Sequence, residues 1–210
     1  MADWVTISAL ATAGGTLVLA GATFASVRSA NRAARVAEQS LLVGLRPLLM
    51  PSRLDDPEQK VGFVDDKWFH LRGGGATAEA TDDAVYLAIS LRNSGSGVAV
   101  LHGWHFDPER MLGRDSHAPL EAFSRLTRDL YIAPNDIGFW QGAFRDPSTH
   151  RFQTARDAVA SRTALTVEVL YGDLEGGQRT ITRYALTPRD DGNWIAGVVR
   201  HWSLDRSGPR

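Results

Sequence analysis

The sequence predicts a mainly β protein in which a β-sandwich follows one long N-terminal α-helix. Residues 4–27 carry no charged side chain, and a segment of this length can cross a bilayer as a helix. From residue 46 onward, apolar residues alternate with polar ones in short runs that turn residues separate. We therefore divide the 210 residues into a helical segment, residues 1–45, and one β-domain, residues 46–210.

The N-terminal helix is interpreted as a retained membrane anchor. Its mean hydropathy, roughly 1.5, is borderline for a spanning helix. A buried core helix is one alternative, but such a helix usually has a polar stripe, and this segment has none. A cleaved signal peptide is the other: residues 20–22 resemble a cleavage site, whereas residues 1–3 lack the basic side chains of a signal.

Beyond the apolar stretch, Arg28, Arg32 and Arg35 share one face of the predicted helix. We interpret them as membrane-surface residues that bind anionic lipid, each contributing about 1 kcal/mol near the surface. The alternative is a solvated face of a stalk. The helix is predicted to end at Gly44, because glycine suits the position after a helix and Pro47 prevents continuation.

The distribution of charge predicts the topology of the anchor. Residues 1–46 carry four arginines and two acidic residues, whereas the remainder carries 19 basic and 22 acidic residues. Basic residues flanking a span remain on the cytoplasmic side, so we expect a single-pass protein of the cell membrane with its β-domain in the cytoplasm. A mildly acidic domain is not expected to bind nucleic acid.

A ridge of small residues on the apolar helix would let two helices approach closely. The ridge is formed at four-residue spacing by Ser8, Thr12, Thr16 and Ala20. It predicts a weak homo-oligomer through the anchor. An alanine-rich composition explains the same pattern without association.

In the β-domain, the entry segment between Pro47 and Pro51 is predicted as a short edge strand. Residues 52–66 are polar and predicted as a loop, and residues 73–75 as a glycine turn. The clearest strand is 84–93, because its apolar residues alternate strictly. The turn at 93–97 leads either to a hairpin or to a crossing between sheets.

The remaining elements follow from the same alternation and from turn signals at the spacing of a β-sandwich. Further strands are predicted at 67–72, 98–106, 126–133, 137–144, 163–171, 179–186 and 194–202, with one short helix near 148–161. Inward-facing positions of the strongest strands predict a core that contains Leu87, Ile89, Leu91, Trp104, Val167 and Val169. Packing inside the domain is also predicted for Trp68, Trp140, Trp194 and Trp202.

The segment Leu91-Arg-Asn-Ser-Gly-Ser-Gly-Val-Ala99 resembles a strand-turn-strand motif of immunoglobulin-like domains in uncharacterised bacterial proteins. The order of the remaining segments resembles hypothetical single-pass membrane proteins of actinobacteria. Those segments are the apolar helix, Ala33-Ala-Arg-Val-Ala-Glu38, Arg46-Pro47, Gln178-Arg-Thr-Ile-Thr-Arg183 and Arg200-His-Trp202. The resemblance implies an immunoglobulin-like β-sandwich and names no activity.

No group of residues has the spacing of a catalytic or metal site. His102 and His105 are three residues apart on a predicted strand, which places them on opposite faces. The paired aspartates lack the spacing of a calcium loop, and the glycine runs lack the residues of a phosphate or dinucleotide loop. Because cysteine is also absent, we expect no catalytic residue, no cofactor and no metal.

These observations favour a membrane-anchored, non-catalytic binding or scaffolding module, with membrane lipid and a protein as partners. The alternative is a membrane-tethered enzyme whose site is assembled from loops of the β-domain. An enzyme is expected to have a deep cleft into which several ionisable side chains converge, whereas a module is not.

Overall fold

The computed structural model describes residues 3–107 and 115–205, which form two compact units that divide after Gly44. The first unit is α1, Trp4–Gly44. Its 41 residues contain no proline and many alanines, a composition with high helix propensity. At 1.5 Å per residue the helix is roughly 60 Å long. The predicted end at Gly44 is confirmed.

Hydroxyl groups on the apolar part of α1 are bonded within the helix. Thr12 donates to the carbonyl of Ser8 at 2.9 Å, and Thr16 donates to the carbonyl of Thr12 at 2.9 Å. Thr23 makes the same bond to Leu19 at 2.8 Å. These hydroxyls are therefore satisfied in an apolar environment without a partner helix.

The second unit is an antiparallel β-domain, so the mainly β fold behind one long helix is confirmed. Its described strands are β1 (Leu49–Pro51), β2 (Gln59–Gly62), β3 (Trp68–Leu71), β4 (Gly75–Ala80), β5 (Val85–Asn93), β6 (Ala99–Asp107), β7 (Ser124–Ile132), β8 (Ile137–Phe144), β9 (Leu165–Gly172), β10 (Arg179–Pro188) and β11 (Trp194–Ser203). A short 3₁₀ turn, Leu120–Ala122, precedes β7, and α2, His150–Ala160, follows β8.

Nine strands form one curled sheet, in the order β1-β5-β4-β11-β10-β9-β6-β7, with β8 paired to β5. β5 connects the parts of the sheet, because it pairs with three strands, β1, β4 and β8. The sheet curls so that Trp104 of β6 contacts Trp140 of β8, with ring centroids 5.4 Å apart. The core lies between the part of the sheet that contains β6 and the part that contains β8. Burial of its side chains is the main favourable contribution to folding.

The six predicted core residues of the β-domain are confirmed as buried. Phe152 and Ala155 of α2 join the same core. The side chain of Thr149 begins α2 by accepting a hydrogen bond from the backbone N–H of Phe152 at 3.3 Å. The short helix predicted near 148–161 is therefore confirmed.

Two predictions for residues 52–83 were wrong or incomplete. The predicted loop 52–66 contains β2, which pairs with β3 in a separate two-stranded sheet, and β4 follows the glycine turn without having been predicted. The hairpin packs on the outer face of β5, where Val61, Phe63 and Tyr86 form a second apolar cluster. β5 is consequently buried on both faces, although strict alternation of apolar residues is typical of a strand with one solvent-exposed face.

The turn at 93–97 is a crossing rather than a hairpin, since β5 and β6 do not pair with each other. The amide nitrogen of Asn93 donates to the carbonyls of Gly97 at 2.7 Å and Ile132 at 3.0 Å. Its carbonyl oxygen accepts from the N–H of Leu48 at 3.1 Å. A Cβ on Gly97 would lie 1.7 Å from the carbonyl oxygen of Leu45. Only glycine therefore fits at this position, where the turn contacts the first residues of the domain.

Candidate binding groove

β7 and β8 follow each other in sequence but do not pair. β7 pairs with β6, whereas β8 pairs with β5. The two strands approach each other near their connecting turn, where a Cβ on Gly138 would lie 2.6 Å from the side chain of Ile132. Two strand edges without a shared ladder therefore face each other, and unpaired strand edges can pair with another chain.

One side chain bridges this seam. Arg128 of β7 donates hydrogen bonds to the side-chain oxygen of Gln141 on β8 at 2.8 Å and to the carbonyl of Gly62 at 3.1 Å. Its guanidinium carbon lies 5.6 Å from the ring centroid of Phe139, within the range of a cation–π contact. The bridge joins both strands to the β2–β3 hairpin.

A cavity of about 300 Å³ opens along the seam, and we call it the β7–β8 groove. It is lined by Phe63, Val64, Trp104, Ser124, Arg125, Leu126, Gln141, Gly142, Ala143, Phe144, Arg145, Asp146, Thr149 and Arg151. A Cβ on Gly142 would lie 2.9 Å from ring atoms of both Trp104 and Trp140. Glycine therefore lets the tryptophan rings approach the backbone of β8.

The charged side chains of the groove are predominantly basic. Arg145 pairs with Asp65 at 3.4 Å, and both side chains are about one-third exposed. Asp146 accepts hydrogen bonds from the hydroxyl and the N–H of Ser148 at 2.6 and 3.0 Å, and these bonds lower the pKa of its carboxyl group. Arg125 and Arg151 are exposed and have no ion-pair partner among the described residues. The groove therefore attracts anionic groups.

Asp65 also orders the loop beside the groove. It accepts a hydrogen bond from the hydroxyl of Tyr86 at 2.5 Å. This bond raises the pKa of the tyrosine to about 12, with burial as the second cause. The pKa of Asp65 is lowered, because its bonds to Tyr86 and Arg145 outweigh its burial. Tyr86 thus remains protonated and holds the carboxylate beside Arg145.

A second polar group lies under the outer face of the β9–β11 layer. Both oxygens of Glu168 are bonded: one accepts from Nε and Nη2 of Arg183 at 2.9 and 2.6 Å, and the other accepts from the N–H of Ala118 at 2.9 Å. Arg183 also donates to the carbonyl of Ser116 at 2.7 Å and lies 4.7 Å from the ring centroid of Trp202. Because both charged side chains are at most 3% exposed, this pair fixes residues 115–118 on the sheet and offers no accessible charge.

The predicted membrane-surface residues Arg28, Arg32 and Arg35 are exposed on α1, and they line one shallow strip of its surface with Phe24 and Val27. Within the helix segment Ile7–Glu38, the most apolar stretch of 18 residues has a mean hydropathy of 1.5, and none of that stretch is buried. It is long and apolar enough to cross a membrane. None of these arginines contributes to the groove.

The two histidines of β6 lie at and beyond an irregularity of that strand. The register of β6 shifts between Leu101 and Gly103, so His102 lies at a bulge. Burial lowers the pKa of His102, and the charge of Arg179 adds to this effect. Within residues 3–107 and 115–205, no three His, Asp or Glu side chains are placed to hold one metal ion.

The prediction that all five strand tryptophans pack inside the domain was wrong for Trp68. Trp104, Trp140 and Trp194 are buried, but Trp68 is 53% exposed and carries the Nζ of Lys60 4.6 Å above its ring. Trp68 belongs to the two-stranded hairpin, which has one solvent-exposed face. Trp202 is partly exposed and covers the buried Arg183.

Comparison with known protein families finds no match, and no curated protein matches either. Among solved structures, a protein from Archaeoglobus fulgidus aligns with 63% of this chain and 94% of its own, at 12% identity and a TM-score of 0.25. A β-glucosidase from Kluyveromyces marxianus aligns with 61% of this chain and 14% of its own, at 12% identity and a TM-score of 0.23. At these TM-scores neither alignment establishes a shared fold.

Proposed function

We propose that this protein is a single-pass membrane protein whose β-domain is a non-catalytic binding module. The anchor is supported by α1, whose apolar side chains Leu10, Leu17 and Phe24 are each more than two-thirds exposed. An apolar surface of this length is unfavourable in water and favourable in a bilayer. Arg28, Arg32 and Arg35 would then lie at the lipid surface, where they attract anionic headgroups.

The binding partner that fits the β7–β8 groove is an extended, acidic protein segment with one apolar anchor residue. The observation that carries this proposal is the combination of an apolar floor, made by Trp104 and Phe63, with the exposed guanidinium groups of Arg125 and Arg151. The facing strand edges can bond to an extended backbone. Charge complementarity would set the rate and the specificity of association.

The same groove supports binding more than catalysis. Arg125, Arg145, Asp146 and Arg151 are all exposed, whereas catalytic acids and bases are usually desolvated to shift their pKa values. A volume of about 300 Å³ lies at the lower limit of pockets that enclose a small molecule. It accommodates one or two side chains of a bound segment.

The proposal is tested with the full chain in phosphatidylcholine nanodiscs and a fluorescent peptide that carries several glutamates around one leucine. We expect saturable binding by anisotropy that weakens with added salt. Arg125→Gln combined with Arg151→Gln should weaken it about tenfold or more, since hydrogen bonds to charged groups contribute roughly 1.5–3 kcal/mol each. Arg156→Gln, an exposed arginine of α2 that does not line the groove, is the matched control. Equal binding of a lysine-containing peptide would contradict the proposal.

The cytoplasmic position of the β-domain is also a proposal, supported by the arginines that follow the apolar stretch. Alkaline phosphatase and a fluorescent protein, fused in turn to Arg210, report the two sides of the membrane. We expect a fluorescent fusion and an inactive phosphatase, and the opposite result would place the domain outside. We also propose an immunoglobulin-like topology and a relationship to anchored actinobacterial proteins, supported by the motif at 91–99.

A further inference from the structure

A second cavity, of about 400 Å³, lies beside the segment through which the chain enters the β-domain, and we call it the end pocket. It is lined by Arg46, Leu48, Gly95, Thr180, His201, Trp202 and Ser203. Arg46 precedes β1, whereas Thr180 and His201 lie on the neighbouring strands β10 and β11. The pocket therefore combines three polar side chains from separate elements.

A series of buried hydrogen bonds behind the pocket ends at the ring of His201. The N–H of Leu49 donates to the hydroxyl oxygen of Tyr171 at 3.2 Å. That hydroxyl lies 3.1 Å from Oγ1 of Thr182, which lies 2.6 Å from Nδ1 of His201. The Tyr171 hydroxyl has no other acceptor among the described residues, so it donates to Thr182. The Thr182 hydroxyl in turn holds Nδ1 of His201 inside the protein.

Two further observations agree with this arrangement. Burial and the charge of Arg46 lower the pKa of His201, which favours the neutral ring. Nδ1 is held by Thr182, so Nε2 is the ring nitrogen that remains for a ligand in the pocket.

Arg46 supplies the charge of the pocket. It donates one hydrogen bond to Oγ1 of Thr180, at the long distance of 3.4 Å, and its other guanidinium hydrogens have no acceptor within the described residues. The carboxylate of Asp205, whose pKa the charge of Arg46 helps to lower, is bound by the guanidinium of Arg179 at 2.9 Å. Arg46 therefore retains the capacity to bind an anion.

The geometry points to a binding site for a small organic carboxylate with an apolar body. The guanidinium of Arg46 matches a carboxylate, to which it can donate two parallel bonds, and His201 and Thr180 supply further polar groups. The side chains of Leu48 and Trp202 provide an apolar wall for the rest of the ligand. This site is separate from the β7–β8 groove and does not depend on the function proposed for it.

The experiment uses the full chain in phosphatidylcholine nanodiscs and benzoate as the probe, with dissociation constants from ligand-observed NMR titration. Benzamide has the same shape without the charge, and inorganic phosphate has charge without an apolar body. We expect benzoate to bind at least about tenfold more tightly than either, because benzamide lacks the charge that pairs with the guanidinium of Arg46 and phosphate lacks the apolar body that Leu48 and Trp202 contact.

Arg46→Gln should weaken benzoate binding by a similar factor, and Arg46→Lys, which keeps the charge but loses the paired donors, should give an intermediate value. Arg156→Gln should leave binding unchanged. Unchanged thermal unfolding of the Arg46 variants shows that they are folded. Absence of saturable benzoate binding, equal affinities for benzoate and benzamide or phosphate, or an unaffected Arg46→Gln variant would each overturn the assignment.

Discussion

The hydroxyl of Tyr184 donates a hydrogen bond to the carbonyl oxygen of Leu49 across the core, at 2.9 Å. The N–H of the same Leu49 donates to the hydroxyl of Tyr171. All three residues are completely buried. The two tyrosines thus bind the backbone of the first strand, and this attaches β1 to β9 and β10.

Removing the Tyr184 hydroxyl leaves the buried carbonyl of Leu49 without this bond. We expect Tyr184→Phe to lower the free energy of unfolding by about 1–3 kcal/mol. Tyr131→Phe is the matched control, since Tyr131 is 56% exposed on β7, and it should change little. Chemical denaturation of both variants in detergent micelles measures the difference. Equal stabilities would show that the bond does not stabilise the fold.

The buried pair of Glu168 and Arg183 should respond strongly to loss of one partner. Glu168→Ala leaves a guanidinium in the interior without its carboxylate, which typically costs about 3–5 kcal/mol. Glu79→Ala removes a partly exposed pair with Lys67, and such pairs contribute about 0–1 kcal/mol. Thermal unfolding of the two variants compares them. A similar small loss in both would contradict the interior position of Glu168.

The approach of Trp104 to β8 requires glycine at position 142. Gly142→Ala places a methyl group 2.9 Å from two tryptophan rings, and overpacking of this kind costs about 1–3 kcal/mol. Gly197→Ala is the control, because a Cβ there meets no atom within 4 Å. We expect Gly142→Ala to lower the melting temperature and to weaken binding in the groove, while Gly197→Ala does neither. A variant at 142 with unchanged stability would contradict the tight packing.

The lowered pKa of His201 predicts how the stability of the fold changes between pH 7.5 and 5.5. Its folded pKa lies below the ordinary value of 6.5 because of burial and Arg46, so the unfolded chain takes up a proton first as the pH falls. Stability should therefore decrease as the pH falls below about 6.5. A protonated ring donates from Nδ1, so the Thr182 hydroxyl can no longer donate to it.

His201→Gln should reduce this pH dependence, measured as the melting temperature at pH 7.5, 6.5 and 5.5. Part of the dependence should persist, since the pKa of His102 is lowered as well. The affected carboxyl groups, such as Asp146 and Asp205, have lowered pKa values and titrate below this range. An unaltered slope in the His201→Gln variant would exclude His201 as its source.

Local sequence patterns predicted the elements whose side chains carry a strong periodic signal. α1 and β8 have the expected bounds, because an unbroken apolar run and a mostly apolar segment that follows a turn signal are local properties. β4, with the sequence Gly-Ala-Thr-Ala-Glu-Ala, has low β propensity and was not predicted. β4 forms because it pairs with β5 and β11, and this pairing depends on the whole fold rather than on the local sequence.

The candidate groove could not be predicted from sequence for the same reason. Arg125, Arg145 and Arg151 come from β7, the segment after β8, and α2, and nothing in their spacing connects them. They meet because β7 and β8 pair with different neighbours after a short turn. The basic face of α1, in contrast, was predictable, since Arg28, Arg32 and Arg35 follow helical spacing within one element.

The most direct test of a membrane-anchored binding module is flotation of phosphatidylcholine vesicles that contain the full chain, with the fluorescent acidic peptide added outside. We expect the protein to float with the vesicles after carbonate washing and to carry the peptide with it. Vesicles with the combined Arg125→Gln and Arg151→Gln variant should carry the same amount of protein and about tenfold less peptide. Release of the protein by carbonate, or equal peptide on both vesicle populations, would contradict the account.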